Sequence, residues 1–321
     1  MPDVVERPKA IAHEKYERLV KAAQAQATIK VAVAHPCDDV SLRGAVEAAQ
    51  LHLIEPILVG PAERIRAVAR GAGLDISAME IVNAEHSTDS AEKAVALVTA
   101  GRVEGLMKGS LHTDELMKAV VSRHGGIRTA RRISHCFIMD VPSHPDALII
   151  TDAAINIAPT LDDKVDIIQN AIDLAHAMGA QEVRVAILSA VETVTAKVPS
   201  TIEAAALCKM AERGQITGAL LDGPLALDNA ISPEAAAVKK VTSSVAGRAN
   251  ILVVPDLEAG NMLAKSLSFL AQADAAGIVL GARVPIILTS RADSVLTRLA
   301  SCAVAVMVAS ARRQSASASI R

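Results

Sequence analysis

Aromatic side chains are almost absent from this 321-residue chain, which holds one tyrosine, two phenylalanines and no tryptophan. It therefore lacks the rings on which the bases of single-stranded nucleic acid stack. Charge of one sign is also lacking, because 33 Lys and Arg nearly balance 35 Asp and Glu, for a formal net charge of −2. Without a global basic field we expect no nucleic-acid partner, and any anion site must be local.

Paired cysteines and long apolar runs are missing as well. The four cysteines show no CxxC spacing: Cys37, Cys136, Cys208 and Cys302. We therefore expect no metal site and, since no signal peptide is recognisable, a reduced cytoplasmic location. No apolar stretch in the sequence reaches the roughly 20 residues that span a bilayer, so we expect no membrane partner.

Three motifs of common enzyme classes are also missing. The spacing GxxxxGK[ST] does not occur, which argues against a nucleoside triphosphate hydrolase, and GxSxG of the α/β-hydrolases is absent. No GxGxxG follows a strand, so a Rossmann dinucleotide site has no support.

Apolar, β-branched runs alternate with alanine-rich helical segments along the chain. The predicted strands are Ile29–Ala34, Pro56–Val59, Gly105–Met107, Ser134–Met139, Ala147–Thr151, Val183–Leu188, Ala219–Leu221, Ile251–Val254, Ile278–Leu280 and Ile286–Thr289. The predicted helices include one before Ile29, then Ser90–Ala100, Lys164–Met178, Ser200–Arg213 and Pro233–Ser243. This alternation predicts an α/β fold with mainly parallel sheets flanked by helices, and the length favours two domains.

Local signals predict where helices begin and where order ends. Ser90, Ser200 and Ser232 stand at N-cap positions, the last followed by proline. We expect the small and polar tail Ser310–Arg321 to be frayed.

Two strand ends carry most of the polar residues that could form a site. Asn250–Asn261, NILVVPDLEAGN, and Pro285–Asp293, PIILTSRAD, are apolar runs that end in polar clusters. Parallel strands present binding loops at their carboxyl ends. We therefore expect one polar site formed by Asp256, Glu258, Asn261, Ser290, Arg291 and Asp293.

A second candidate is a phosphate site at Leu106–Thr113, LMKGSLHT. Lys108 is a cation beside a glycine turn that can present backbone N–H groups, and Ser110 and Thr113 add hydroxyls. Five cations without an intervening carboxylate follow: Lys118, Arg123, Arg128, Arg131 and Arg132. They indicate either an unpaired anion-binding group or a solvated basic helix.

Two further segments have both a functional and a structural interpretation. In TDAAINIAPT, Asp152 and Asn156 either face a ligand or build the turn after a strand. In TSRADS, Ser290 either donates to an oxyanion or, like Ser294, caps the helix predicted over Ser294–Val308.

The ordered segments LMKGSLHTDEL, GIRTARRISHCF, TDAAINIAPT, DGPLALDNAIS, VAGRANILVVPDLEAGN and PIILTSRADS resemble the phosphate acetyl/butyryltransferase family. The resemblance covers about Ile29 to Ala309, and SRADS is more similar to the butyryl-transferring branch. It implies a cytoplasmic acyltransferase that moves an acetyl, propionyl or butyryl group between coenzyme A and inorganic phosphate. Coenzyme A would be a substrate, with no permanently bound cofactor, and the protein would be a homodimer.

The same resemblance implies a fold similar to isocitrate/isopropylmalate dehydrogenases, with an active cleft between two α/β domains. Residues 1–140 plus 281–321 would form the first domain and residues 141–280 the second. The division would fall near Asp140–Asp146, where two prolines interrupt the strand pattern.

Carried over by position, Ser290 would stabilise the tetrahedral intermediate, and Arg291 would hold phosphate or coenzyme A. Lys108, Ser110 and Thr113 would bind the acyl-phosphate end. We assign Arg132 and Asn156 to phosphate, Asn261 to coenzyme A and Asp293 to catalysis.

The chain departs from the family pattern at two positions. Thr297 stands where acetyl-specific members carry an aspartate base, and Ala153 stands where a cysteine is common. Asp293 is the nearest alternative carboxylate. Two other functions therefore stay open: a binding module that has lost catalysis, and an NAD-dependent dehydrogenase of the same fold group. The acyl length and the direction of flux also stay open.

Overall fold

The structure, a computed structural model, describes residues 14–289 and 293–318, which form eleven strands and eleven helices. The strands are β1 (Ile29–Ala34), β2 (Ile54–Gly60), β3 (Glu80–Asn83), β4 (Gly105–Lys108), β5 (Ser134–Asp140), β6 (Leu148–Thr151), β7 (Arg184–Leu188), β8 (Leu220–Leu225), β9 (Ile251–Val253), β10 (Asp274–Leu280) and β11 (Ile286–Ile287). The helices are α1 (Glu14–Gln24), α2 (Asp39–Gln50), α3 (Ala62–Ala72), α4 (Ser87–Thr99), α5 (Thr113–Val120), α6 (Leu161–Ala177), α7 (Pro199–Glu212), α8 (Leu227–Ile231), α9 (Pro233–Val238), α10 (Leu257–Leu270) and α11 (Val295–Ala318).

All eleven described strands belong to one sheet, in the order β3-β2-β1-β4-β11-β10-β5-β6-β9-β7-β8. Most neighbours are parallel, but β10 runs antiparallel to β11 and β5, and β5 runs antiparallel to β6. The predicted α/β class with a largely parallel sheet is therefore confirmed. Strand β11, near the end of the chain, lies beside β4 from the first half.

The two faces of the sheet are packed differently. One face carries a single continuous core, built with α1, α2, α3, α6, α7 and α11. The opposite face carries two separate clusters. The first, with α4 and α5, includes Leu111 and Leu288. The second, with α8 to α10, includes Ala264 and Ala273. The interval between these clusters leaves room for a groove.

Helix α11 corrects two expectations. Its segment Val295–Ser317 is long and apolar enough to cross a membrane by length and composition, contrary to the sequence estimate. About 61% of its apolar window is buried, as in the core helix of a folded domain. The helix also continues to Ala318, so the tail expected to fray is ordered at least that far. Ser310 anchors it by donating to the Gln26 side chain at 2.7 Å.

Helix starts were predicted less well than strands. Ser232 caps α9 as expected, accepting from Ala235 N. Ser90 and Ser200 are not caps. His86 caps α4, and the hydroxyl of Ser90 donates to the His86 carbonyl from within the helix. Helix α7 begins one residue earlier than predicted, at Pro199, because proline suits the first helical position. The short strand β3 was missed because it is a half-exposed edge strand.

Candidate active site

A groove of about 690 Å³ lies between the two clusters, on the face of the sheet that α5 and α10 cover. Its walls come from several parts of the chain, including Ala154 after β6 and Ala273 to Ala275 at the start of β10. The β4–α5 loop contributes Lys108, Leu111, His112 and Thr113, and β5 contributes His135 and Phe137. Helix α10 contributes Asn261, Ala264, Lys265 and Phe269, and the carboxyl-terminal part contributes Leu288, Thr289, Asp293, Ser294 and Thr297. Four of the predicted site residues therefore border one space: Lys108, Thr113, Asn261 and Asp293.

The β4–α5 loop is held against the end of β1 by its backbone. Gly109 N donates to Ala34 O at 2.8 Å, and Ser110 N donates to His35 O at 2.9 Å. A Cβ on Gly109 would lie 2.4 Å from Ala34 O, so only glycine fits. The expectation that these two N–H groups cradle a phosphate is wrong, since both are already bonded within the fold.

Ser110 is also a structural residue and does not border the groove. Its hydroxyl donates to His35 O at 2.8 Å and accepts a bond from Cys37 N at 3.3 Å. Lys108, in contrast, is only 4% exposed at the end of β4 and borders the groove. Thr113 is the first residue of α5 and borders it too. The loop therefore places a buried lysine and the amino end of α5 at the groove.

Arg132 and Asn156 bind each other and do not line the groove. The Arg132 Nε donates to Asn156 Oδ1 at 2.8 Å, and the Arg132 guanidinium pairs with Asp163 at 3.2 Å. The amide of Asn156 donates to Asp152 at 2.6 Å and to Ile133 O at 2.9 Å. The structural interpretation of TDAAIN is therefore correct for Asn156, and the assignment of both residues to phosphate is not supported by their positions.

The Asp152 carboxylate is fully hydrogen-bonded within its own loop. Its carboxylate is almost fully buried and accepts from the backbone N–H groups of Ala154, Ile155 and Asn156. Together with the Asn156 amide these bonds satisfy both carboxylate oxygens.

The expected group of five unpaired cations is smaller than predicted. Arg131 pairs with Asp173 at 3.0 Å, and Arg132 pairs with Asp163. Both carboxylates lie on α6, between about 30 and 40 residues further along the chain. Sequence proximity could not reveal them, because the fold brings this helix to the basic segment.

Of the six polar residues predicted at the two strand ends, Asn261 and Asp293 border the groove. Asp256 instead caps α10, accepting from Ala259 N at 2.9 Å, and Glu258 is exposed on the same helix. Ser290 and Arg291 lie outside the described residues, although Thr289 and Asp293 on either side of them border the groove.

Thr297 borders the groove at the start of α11. Its hydroxyl lies 3.1 Å from the hydroxyl of Ser294, which also accepts from Thr297 N at 3.1 Å. Ser294 is thus a helix cap, as one interpretation of TSRADS predicted. A pair of neutral hydroxyl groups therefore occupies this part of the wall.

His135 is the clearest groove residue that sequence reasoning missed. It is 1% exposed, its ring centroid is 4.4 Å from that of Phe137, and its Nδ1 has no hydrogen-bond partner in the part of the chain that the structure describes. Burial lowers the pKa of the imidazole to about 4, against the opposing effect of the Asp152 carboxylate, so the ring is neutral at pH 7. A histidine inside the apolar strand SHCFIMD was the available signal.

Lys265 and Phe269 were also missed. They lie one turn apart on α10, and Phe269 is 80% exposed at the edge of the groove. Helical spacing alone does not tell which face of α10 borders the groove, so sequence reasoning had no basis for selecting them.

Comparison with known proteins finds similarity to one enzyme family. The family model described as "Phosphate acetyl/butaryl transferase" matches residues 84–306, more than half of the chain. A phosphate acetyltransferase of Rhizobium meliloti is 68% identical over 93% of this chain and 95% of its own length. A probable phosphate butyryltransferase of Bacillus subtilis is 42% identical over 91% of this chain and 97% of its own.

A solved structure shows the same similarity in three dimensions. The crystal structure of a branched-chain phosphotransacylase from Enterococcus faecalis superposes with a TM-score of 0.77 at 29% identity, covering 88% of this chain and 99% of that one. Relatives named for both acyl groups are thus similar to this chain, with higher identity to the relative named for acetyl. The chain belongs to the phosphate acetyl/butyryl transferase family.

Proposed function

We propose that this protein exchanges a short acyl group between coenzyme A and inorganic phosphate: acyl-CoA plus phosphate gives acyl phosphate plus coenzyme A. The main support is that the family match includes the segments whose Lys108, Thr113, Asn261 and Asp293 border one groove. Coenzyme A is a substrate in this proposal, and no resident cofactor takes part.

The reaction needs little acid–base help. A phosphate oxygen attacks the thioester carbonyl, a tetrahedral intermediate forms, and the coenzyme A sulfur leaves as thiolate. A thiol of pKa about 8.5 is already deprotonated to a few per cent at neutral pH. The larger barriers are bringing two anions together and neutralising the developing oxyanion. A site without an aspartate at Thr297 can therefore still catalyse the transfer.

The described residues supply part of the positive potential that this step requires. Lys108 is a buried cation at one wall, and the amino end of α5 directs backbone dipoles at the same space. Lys265 adds an exposed cation on the opposite wall. We assign the phosphate to the Lys108 wall and coenzyme A to the wall of α10, which carries Asn261.

We further propose that Ser290 stabilises the tetrahedral intermediate and that Arg291 holds phosphate or coenzyme A. Thr289 and Asp293, on either side of this pair, border the groove. We give Asp293 a place in the catalytic site for the same reason. These roles rest on the family membership and on the position of the flanking residues.

Three properties of the whole protein complete the proposal. The groove would be an active cleft between two domains in a dehydrogenase-like arrangement. The domains would be residues 1–140 plus 281–321 and residues 141–280, and the two separate core clusters support this division.

A homodimer is supported by exposed apolar residues on α10, namely Met262, Phe269 and Leu270. A reducing cytoplasmic location is supported by four free cysteines.

A thiol-release assay tests the proposed function. Purified protein is mixed with acetyl-, propionyl- or butyryl-CoA, with and without inorganic phosphate, and free thiol is measured. We expect phosphate-dependent release with at least one of the three, and the series also measures the preferred acyl length. Saturable binding without thiol release would instead identify a binding module, and NAD reduction with hydroxy acids would identify a dehydrogenase.

A further inference from the structure

The groove contains one buried polar group that no element of the fold satisfies. His135 Nδ1 has no hydrogen-bond partner among the described residues, although the side chain is 99% buried and the ring borders the groove. A buried polar atom left unpaired destabilises a fold, and native proteins keep few of them. His135 itself lines the groove, so a ligand bound there lies beside its imidazole.

The surroundings keep this imidazole in place and uncharged. The Phe137 ring packs against it at an interplanar angle of 70°, and position 277 is a glycine, where a larger residue would crowd the His135 ring. The nearby Asp152 carboxylate is already engaged by four donors of its own loop. It is therefore not available as a hydrogen-bond partner for the histidine.

A neutral imidazole has one N–H donor and one lone pair, and rotation of the ring by half a turn exchanges the two nitrogens. The lowered pKa makes it a weak base for a thiol but leaves the donor intact. In a neutral, water-poor environment a donor is most effective where negative charge develops during the reaction. In acyl transfer that atom is the carbonyl oxygen.

We propose that His135 is a catalytic residue whose neutral imidazole donates a hydrogen bond to the carbonyl oxygen of the acyl group. The bond strengthens as the carbonyl becomes a tetrahedral oxyanion, and no proton is transferred. This inference rests on the proposed function and adds a donor on β5 that the family resemblance did not supply.

Two substitutions test the role. His135→Leu removes the donor and fills a similar volume, and His135→Gln keeps a neutral donor that cannot titrate. We expect the leucine variant to lose about 10²-fold in kcat, as loss of an oxyanion donor does elsewhere, with KM changed by less than about threefold. The glutamine variant should recover at least about tenfold of that loss.

Measurements of stability and pH dependence distinguish this donor role from a purely structural role and from a general-base role. Because the leucine removes an unsatisfied polar atom, its urea midpoint should equal or exceed that of the wild type; a residue with only a structural role predicts a lower midpoint. A general-base role predicts that the acid limb of the kcat profile disappears in the glutamine variant. Either result, or wild-type kcat in the leucine variant, overturns the proposal.

A measurement on the unmodified protein covers the case in which a variant folds poorly. In ¹⁵N-labelled wild-type protein, the imidazole nitrogen signals of His135, assigned by their absence in His135→Gln, should shift on addition of acetyl phosphate. Unchanged signals at saturating acetyl phosphate contradict the proposal. The wild-type thiol-release assay comes first: its failure refutes the proposed function, whereas turnover with an unaffected leucine variant refutes only the role of His135.

Discussion

The loops after β4 and β6 contain similar kinds of polar residues but differ in which of these residues border the groove. Both follow buried strands, and both carry the charged and hydroxyl or amide residues that predict a ligand site. In the loop after β6, the Asp152 carboxylate accepts four hydrogen bonds from its own loop. In the loop after β4, Ser110 and two N–H groups bind the end of β1, but Lys108 and Thr113 border the groove.

The difference shows which polar residues at a strand end are available for chemistry. A side chain whose hydrogen bonds are completed by its own loop has no capacity left for a substrate. Lys108 and Thr113 are identified as groove residues by their position on its wall. Four substitutions, the last two as a pair, test this comparison, from the largest expected effect to the smallest.

Lys108→Met should have the largest effect on catalysis. It removes the buried cation from the groove but keeps most of the stem, so we expect kcat/KM for phosphate to fall about 10²-fold, or about 2.7 kcal/mol. Steady-state kinetics with acetyl-CoA measure this, and urea unfolding checks the fold. Lys118→Met, on the exposed part of α5, is the matched control and should stay within about twofold. Equal losses in both variants would contradict a specific role for Lys108.

Asp152→Asn should act on stability instead. The amide cannot accept all four bonds and has no charge, so the free energy of unfolding should fall by about 2–3 kcal/mol. Urea unfolding measures it. Asp162→Asn, an exposed carboxylate in the first turn of α6, is the control and should cost less than about 1 kcal/mol. A wild-type midpoint for Asp152→Asn would show that the loop does not depend on this carboxylate.

Ser110→Ala should have the smallest effect. It breaks the bond to His35 O, which should cost about 1 kcal/mol in the free energy of unfolding and leave kcat/KM within about threefold. Thr113→Val, in the same loop, should do the reverse, lowering kcat/KM for phosphate about fivefold with an unchanged midpoint. Thermal unfolding and steady-state kinetics of both variants measure these changes in stability and in kcat/KM. If Ser110→Ala loses more activity than Thr113→Val, the assignment of the two hydroxyls is wrong.

Much of the fold was predictable because apolar residues are spaced differently in strands and in alanine-rich helices. Strand β1 was predicted with its observed bounds, and ten of the eleven described strands were found. The exception, β3, has no continuous apolar run because it lies at the edge of the sheet. Helix starts at α4 and α7 were misplaced, since a serine inside the first turn looks like a cap in the sequence.

The candidate site was predicted only in part, for a different reason. Lys108, Thr113, Asn261 and Asp293 follow strands and do border the groove. Ser110, Arg132 and Asn156 looked equally suitable, but tertiary partners engage all three. His135 was overlooked because a histidine within a core strand usually indicates packing. Its unpaired nitrogen is visible only once the neighbouring strands and the groove are in place.

The position of β11 constrains how the protein can be made. The first four strands leave the ribosome early, yet the neighbour that covers the inner edge of β4 is encoded almost 180 residues later. During translation that edge stays open for pairing with other chains, so we expect nascent intermediates to need protection by chaperones. A product that terminates before residue 286 would leave the edge of β4 unpaired and would lack the groove residues from Leu288 onwards, so we expect an inert and aggregation-prone fragment.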